Sequence, residues 1–111
     1  MKYVLLICDD ETVAPSMEEI RADPAHRAYT AEVERRGASL GGARLRPVAD
    51  ATTVRVRDGE TLVSDGPFAE TKDFIGGLDI IECADLDDAI ALAALHPYAL
   101  HGCVEVRPVW E

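Results

Sequence analysis

The chain has 111 residues, which fits one domain and leaves too little for a second of ordinary size. A hydrophobic fraction of 48% supports a packed core and argues against disorder. Twenty-one acidic against eleven basic residues give a formal net charge of −10, which repels nucleic-acid phosphates and anionic membrane surfaces, so neither is expected as a partner.

The run KYVLLIC over residues 2–8 is short, apolar and rich in strand formers, and predicts a strand covered on both faces. No apolar signal region precedes it and no uninterrupted apolar run approaches 18 residues, so a cytoplasmic protein is expected. Ser16 and Glu19 have capping-box spacing ahead of Met17 and Ile20, predicting a short helix. Asp23 followed by Pro24 marks the start of the main first helix, residues 24–36, and Gly37 its stop.

Strand pattern resumes after Gly37, interrupted by Gly41-Gly42, a pair that predicts a bulge or a close backbone approach. Two alternating runs joined by Asp58-Gly59 predict a hairpin with a two-residue type I′ turn. IGGLDIIEC is the next strand. Asp85 caps a second helix whose buried stripe is expected at Leu86, Ala89, Ile90 and Ala93, and Pro97 ends it. GCVEVRPVW closes the chain as a strand. The order is β-α-β-β-β-β-α-β, a ferredoxin-like α+β pattern with an inserted hairpin in a single domain over residues 1–111.

In such a two-layer fold the sheet face away from the helices should be polar. Tyr3, Leu5 and Ile7 alternate with Val4, Leu6 and Cys8, so the first strand has two apolar faces and a second copy is expected to cover one of them. On the last strand Glu105 and Arg107 share a face and are expected either to pair structurally or to line the resulting cleft. Cys8, Cys83 and Cys103 are odd in number and lack close spacing, which predicts buried free thiols rather than disulfides or a zinc site. Arg44, Arg46, Arg55, Arg57, Lys72 and Arg107 lie on or beside strands where a local cationic pocket could form.

The run DGPFAETKD followed by GG, then HPYALHG and VEVRPV, resembles the YCII-related proteins, in particular the subgroup named after its DGPF motif, from one end of the chain to the other. The resemblance implies a dimeric α/β-barrel and no single reaction. Members are suggested to be enzymatic, and some accompany sigma factors of the extracytoplasmic type. It further implies that His26, in the run DPAHR, matches a histidine of a histidine-aspartate pair. The aspartate of that pair does not clearly carry over, because the helix end before Gly37 reads Glu34, Arg35, Arg36, and Asp65 of the DGPF run is its candidate replacement.

Asp65, ahead of Gly66-Pro67 and Phe68, reads either as a turn residue or as a carboxylate against apolar cover, whose raised pKa would suit proton abstraction. Glu70 and Lys72 read either as a solvated loop face or as ligand contacts, with Lys72 holding a substrate anion beside Gly76 and Gly77. His96 at the end of the second helix suits its negative dipole end or a ligand. The residues thus expected at a site are His26 and Asp65 as catalytic groups, and Lys72, Arg107, Glu105, Glu70 and His96 as binding groups. With six aromatics, no GxGxxG or GxxxxGK[ST] motif and no ligand motif, no cofactor and no metal is expected. Two functions fit: a small cofactor-free enzyme acting on a polar or anionic metabolite in a dimer cleft, or a ligand-sensing module associated with a sigma factor.

Overall fold

A computed structural model describes residues 1–10, 12, 15–68 and 74–111. In chain order the elements are β1 (Lys2–Asp9), α1 (Met17–Ala22), α2 (Pro24–Arg35), β2 (Ser39–Arg44), a 3₁₀ turn (Val48–Asp50), β3 (Thr52–Arg57), β4 (Glu60–Asp65), β5 (Phe74–Glu82), α3 (Leu86–Leu95), α4 (Tyr98–His101) and β6 (Cys103–Pro108).

Local chemistry sets these boundaries. The Ser16 hydroxyl accepts from the Glu19 amide while the Glu19 carboxylate accepts from the Ser16 amide, closing the capping box of α1. Asp23 caps α2 through the Ala25 amide with Pro24 in the first turn, and Gly37 stops it at φ +61°. Asp85 accepts from the Asp88 amide to start α3. Asp58 and Gly59 both take positive φ, 51° and 78°, the type I′ turn that pairs Arg57 with Glu60.

Four strands make an antiparallel sheet in the order β2-β5-β1-β6, and β3 and β4 form a separate two-stranded sheet. With the helices on one face of the larger sheet, this is the ferredoxin-like α+β arrangement with an inserted hairpin. Among the described residues both sheets are open and neither closes into a barrel. The core lies between sheet and helices, where Tyr3, Leu5 and Ile81 meet Tyr29 and Val33 of α2 and Ala89, Leu92 and Ala93 of α3. The register opposes Val4, Leu6 and Cys8 to Arg107, Glu105 and Cys103, and this set faces away from that core.

Three expectations need correction. The buried stripe of α3 is Ala89, Leu92 and Ala93, continued by His96, whereas Leu86 and Ile90 are about half exposed. The helix is rotated so that its smallest side chains face α2 and the sheet, which lets the backbones approach. The cysteines form no disulfide among the described residues and are not deeply buried, because Cys8 and Cys103 sit on the open sheet face, with Cys103 exposed. Pro97 ends α3 but also opens α4, a short turn of helix absent from the expected order.

Candidate functional site

A cavity of about 910 Å³ opens at one end of the sheet, on its helix side, between α1, the start of α2 and α4. Its floor is the end of β1 and the middle of β5. There the ladder is irregular: Ile7 pairs with Gly77 and Cys8 with Ile75, so Gly76 is the extra residue of a bulge. Both glycines line the cavity. With no side chains, they leave backbone where neighbouring positions would fill the space.

Two histidines meet at the wall. His26, in the first turn of α2, is half-buried, and its ring centre lies 5.8 Å from that of His96, edge to face. His96 is buried and packs against Tyr29 at 4.7 Å and Tyr98 at 5.5 Å. Its Nδ1 accepts from the Tyr98 amide at 3.1 Å, so in the neutral ring the proton sits on Nε2. Burial first, and the nearby His26 second, lower its pKa to about 4 against the partial opposition of Asp79. His96 is therefore a neutral Nε2–H donor at pH 7, not an imidazolium set against the helix dipole.

Behind the histidines the Tyr29 hydroxyl donates to Asp79 Oδ2 at 2.7 Å. Burial, then this bond to a carboxylate, push the Tyr29 pKa up, so the phenol keeps its proton. Asp79 can stand there because its strand neighbour across the pair is Gly42, whose missing side chain leaves room for the carboxylate. At the mouth, Arg44 lines the cavity and donates to the Pro15 carbonyl.

Of the residues expected from sequence, His26 and His96 come together here. Asp65 does not join them. It ends β4 in the hairpin sheet, exposed and outside the cavity lining. The cover expected for it is missing too, since Phe68 is 82% exposed and the Gly66 amide donates to the Ala51 carbonyl. Glu105 and Arg107 pair with each other at 3.5 Å on the open face of the sheet, away from the cavity. Arg46 pairs with Asp50 at 2.9 Å, and Arg55 and Arg57 lie on the hairpin, so these arginines form no common cationic pocket. Glu70 and Lys72 lie outside the described residues.

Sequence reasoning missed Asp9, Tyr29, Asp79 and Tyr98. Asp79 carried a signal, as a carboxylate flanked by Leu78 and Ile80 in the middle of the run IGGLDIIEC, where a charge needs a partner. Asp9 follows the first apolar run directly and reads from sequence as the start of a loop.

The strand order, the two covering helices and the histidine-lined cavity define a ferredoxin-like α+β protein with acid-base groups in a cleft. The chain belongs to the YCII-related domain family, which matches it over residues 1–111. It is also 37% identical, over 115 aligned positions, to an uncharacterized protein of Rhizobium meliloti (strain 1021), covering 98% of this chain and 92% of that protein. Among the described residues, no helix is long and apolar enough to cross a membrane.

Proposed function

We propose that the protein holds a small polar molecule in this cavity and moves a proton on it, with His26 as the base. The observation that carries the reading is a half-buried histidine at the cavity wall set 5.8 Å from a buried, neutral one. His96 stays uncharged near pH 7 and offers Nε2–H as a fixed donor, so the base is His26, the half-buried imidazole that lines the cavity beside it. Tyr29 and Asp79 hold the His96 ring in place from behind. The run Asp65 to Phe68 supports membership of the DGPF subgroup.

The test works without a named substrate. Protein is incubated with small molecules from a cell extract in D2O, and deuterium uptake is read by mass spectrometry. The expected result is one metabolite labelled by the wild type and unlabelled by folded His26→Ala. A metabolite that is bound but never labelled or consumed would assign the cavity to ligand sensing instead.

We also propose that a second copy covers the open sheet face. Val4, Leu6, Leu78 and Ile80 give it an apolar centre, and Glu105 and Arg107 a charged edge. Two such sheets face to face would form the barrel that neither chain closes alone. The hairpin gives further support, because Val54, Val56, Leu62 and Val63 are exposed along it and a solitary two-stranded sheet has little stability of its own.

A further inference from the structure

Four carboxylates, those of Asp9, Glu19, Asp23 and Asp79, line the cavity among the described residues, against the single guanidinium of Arg44. Three of the four have structural duties. Glu19 closes the capping box of α1, Asp23 caps α2, and Asp79 accepts from the Tyr29 hydroxyl. Asp9 differs. It is 8% exposed, at the end of β1 on the cavity floor, and its Oδ1 accepts from the Asp10 amide at 2.7 Å. Its Oδ2 has no hydrogen-bond donor among the described residues, yet no buried side-chain oxygen is left without a partner, so this atom opens into the cavity.

A carboxylate oxygen that opens into a cavity from an otherwise buried residue is satisfied there by water or a ligand, and a cation satisfies it best. Tyr98 stands beside it. Burial first raises the pKa of that phenol; Arg44 opposes the rise, and Asp9 and Asp23 add to it, and all three charged groups line the cavity together with Tyr98. An aromatic ring beside a carboxylate suits an organic ammonium group. Among the described residues no group of three or more histidine, cysteine or acidic side chains is placed to hold a metal ion. Arg44, the only described lining residue with a fixed positive charge, is exposed and bonded to Pro15.

We infer that the cavity takes a small molecule carrying a protonated amine, with the Asp9 carboxylate as its counter-ion and Tyr98 alongside. This rests on the cavity being the ligand site proposed above, and it narrows the polar or anionic ligand class expected from sequence to a polar cation.

The experiment is a charge series read by amide chemical shifts in the full chain: ethanolamine as the cation, ethylene glycol as the neutral isostere, glycolate as the anion. Ethanolamine is expected to shift the Gly76 and Gly77 amides saturably, and glycolate is not. Asp9→Asn should weaken ethanolamine binding at least tenfold, and Arg44→Gln should tighten it severalfold by removing a like charge. Because Arg44 is exposed, that second variant keeps the test decisive even if Asp9→Asn fails to fold. The shifts report binding without turnover, so a failure of the proton-transfer reading leaves this result standing. Glycolate shifting the same amides with equal or greater affinity, or ethanolamine binding that weakens in Arg44→Gln, overturns the inference.

Discussion

The Tyr29 hydroxyl and the Asp79 carboxylate, 50 positions apart in the chain, meet at 2.7 Å and fasten α2 to the middle of the sheet beside the cavity. Tyr29→Phe keeps the ring and its contact with His96 but leaves Asp79 without its donor. A hydrogen bond to a charged acceptor typically contributes about 1.5–3 kcal/mol. Urea unfolding should therefore show a loss of that size at pH 7. An unchanged midpoint would mean that water replaces the phenol freely.

The same pair shows how much of the fold is legible in the sequence. Capping residues, the Asp58-Gly59 turn and the alternating runs are local signals, and each places an element within a residue or two of its observed bounds. The ferredoxin-like order follows from them. The Tyr29–Asp79 bond depends instead on strand register and on the rotation of α2, which no local pattern encodes. For the same reason His26 stands out in the sequence while its surroundings do not: α4 brings Tyr98 to the cavity, and the β5 bulge shapes its floor. Asp65 attracts a catalytic reading because its loop motif is distinctive, yet the hairpin carries it away from the histidines.

His96 makes stability depend on pH with a definite sign. Above pH 6.5 the imidazole is neutral both folded and unfolded, and contributes no pH dependence. Between pH 6.5 and about 4 the unfolded chain binds a proton that the folded ring refuses, so stability falls as pH falls. The ceiling is ~3 kcal/mol, reduced to the extent that water enters through the cavity. Carboxylates titrate nearby, so the quantity to measure is the difference between wild type and His96→Gln, which retains an acceptor for the Tyr98 amide. That difference should shrink from pH 7 to pH 4.5; a constant difference would show that His96 is not held neutral.

Gly42 and Gly59 separate two reasons for glycine. A side chain at Gly42 would run into the Asp79 carboxylate and lie 2.8 Å from the Leu78 carbonyl oxygen, whereas at Gly59 nothing lies within 4 Å and only the φ of +78° resists substitution. Gly59→Ala should therefore cost ~1 kcal/mol through left-handed strain alone. Gly42→Ala should cost more, on the order of 2–3 kcal/mol by overpacking, and should also disturb the Tyr29 bond. A double-mutant cycle of Gly42→Ala with Tyr29→Phe tests the link: the combined loss should be less than the sum of the two single losses, because both act through Asp79. Simple additivity would place the Gly42 clash on the backbone of β5 instead.

The open sheet face makes the last prediction the one that decides the assembly. Leu6 and Leu78 are cross-strand partners near its centre, half-buried in a single chain and turned away from the core. Half-exposed leucines at the centre of a sheet face are unfavourable in water, and burying both fully against a twofold-related copy would stabilise each side by a few kcal/mol. Leu78→Glu places a charge there, where a second copy would bring an identical one close by symmetry. In a lone chain the same substitution only changes a partly solvated position and should leave folding nearly intact. Light scattering at micromolar concentration should give twice the 12.0 kDa chain mass for the wild type and the single mass for the variant. The ethanolamine response can be read on both forms, since the residues of the cavity lie on the helix side of the same sheet. If the variant loses amine binding along with the dimer, the partner copy completes the site; if it keeps the binding, one chain suffices.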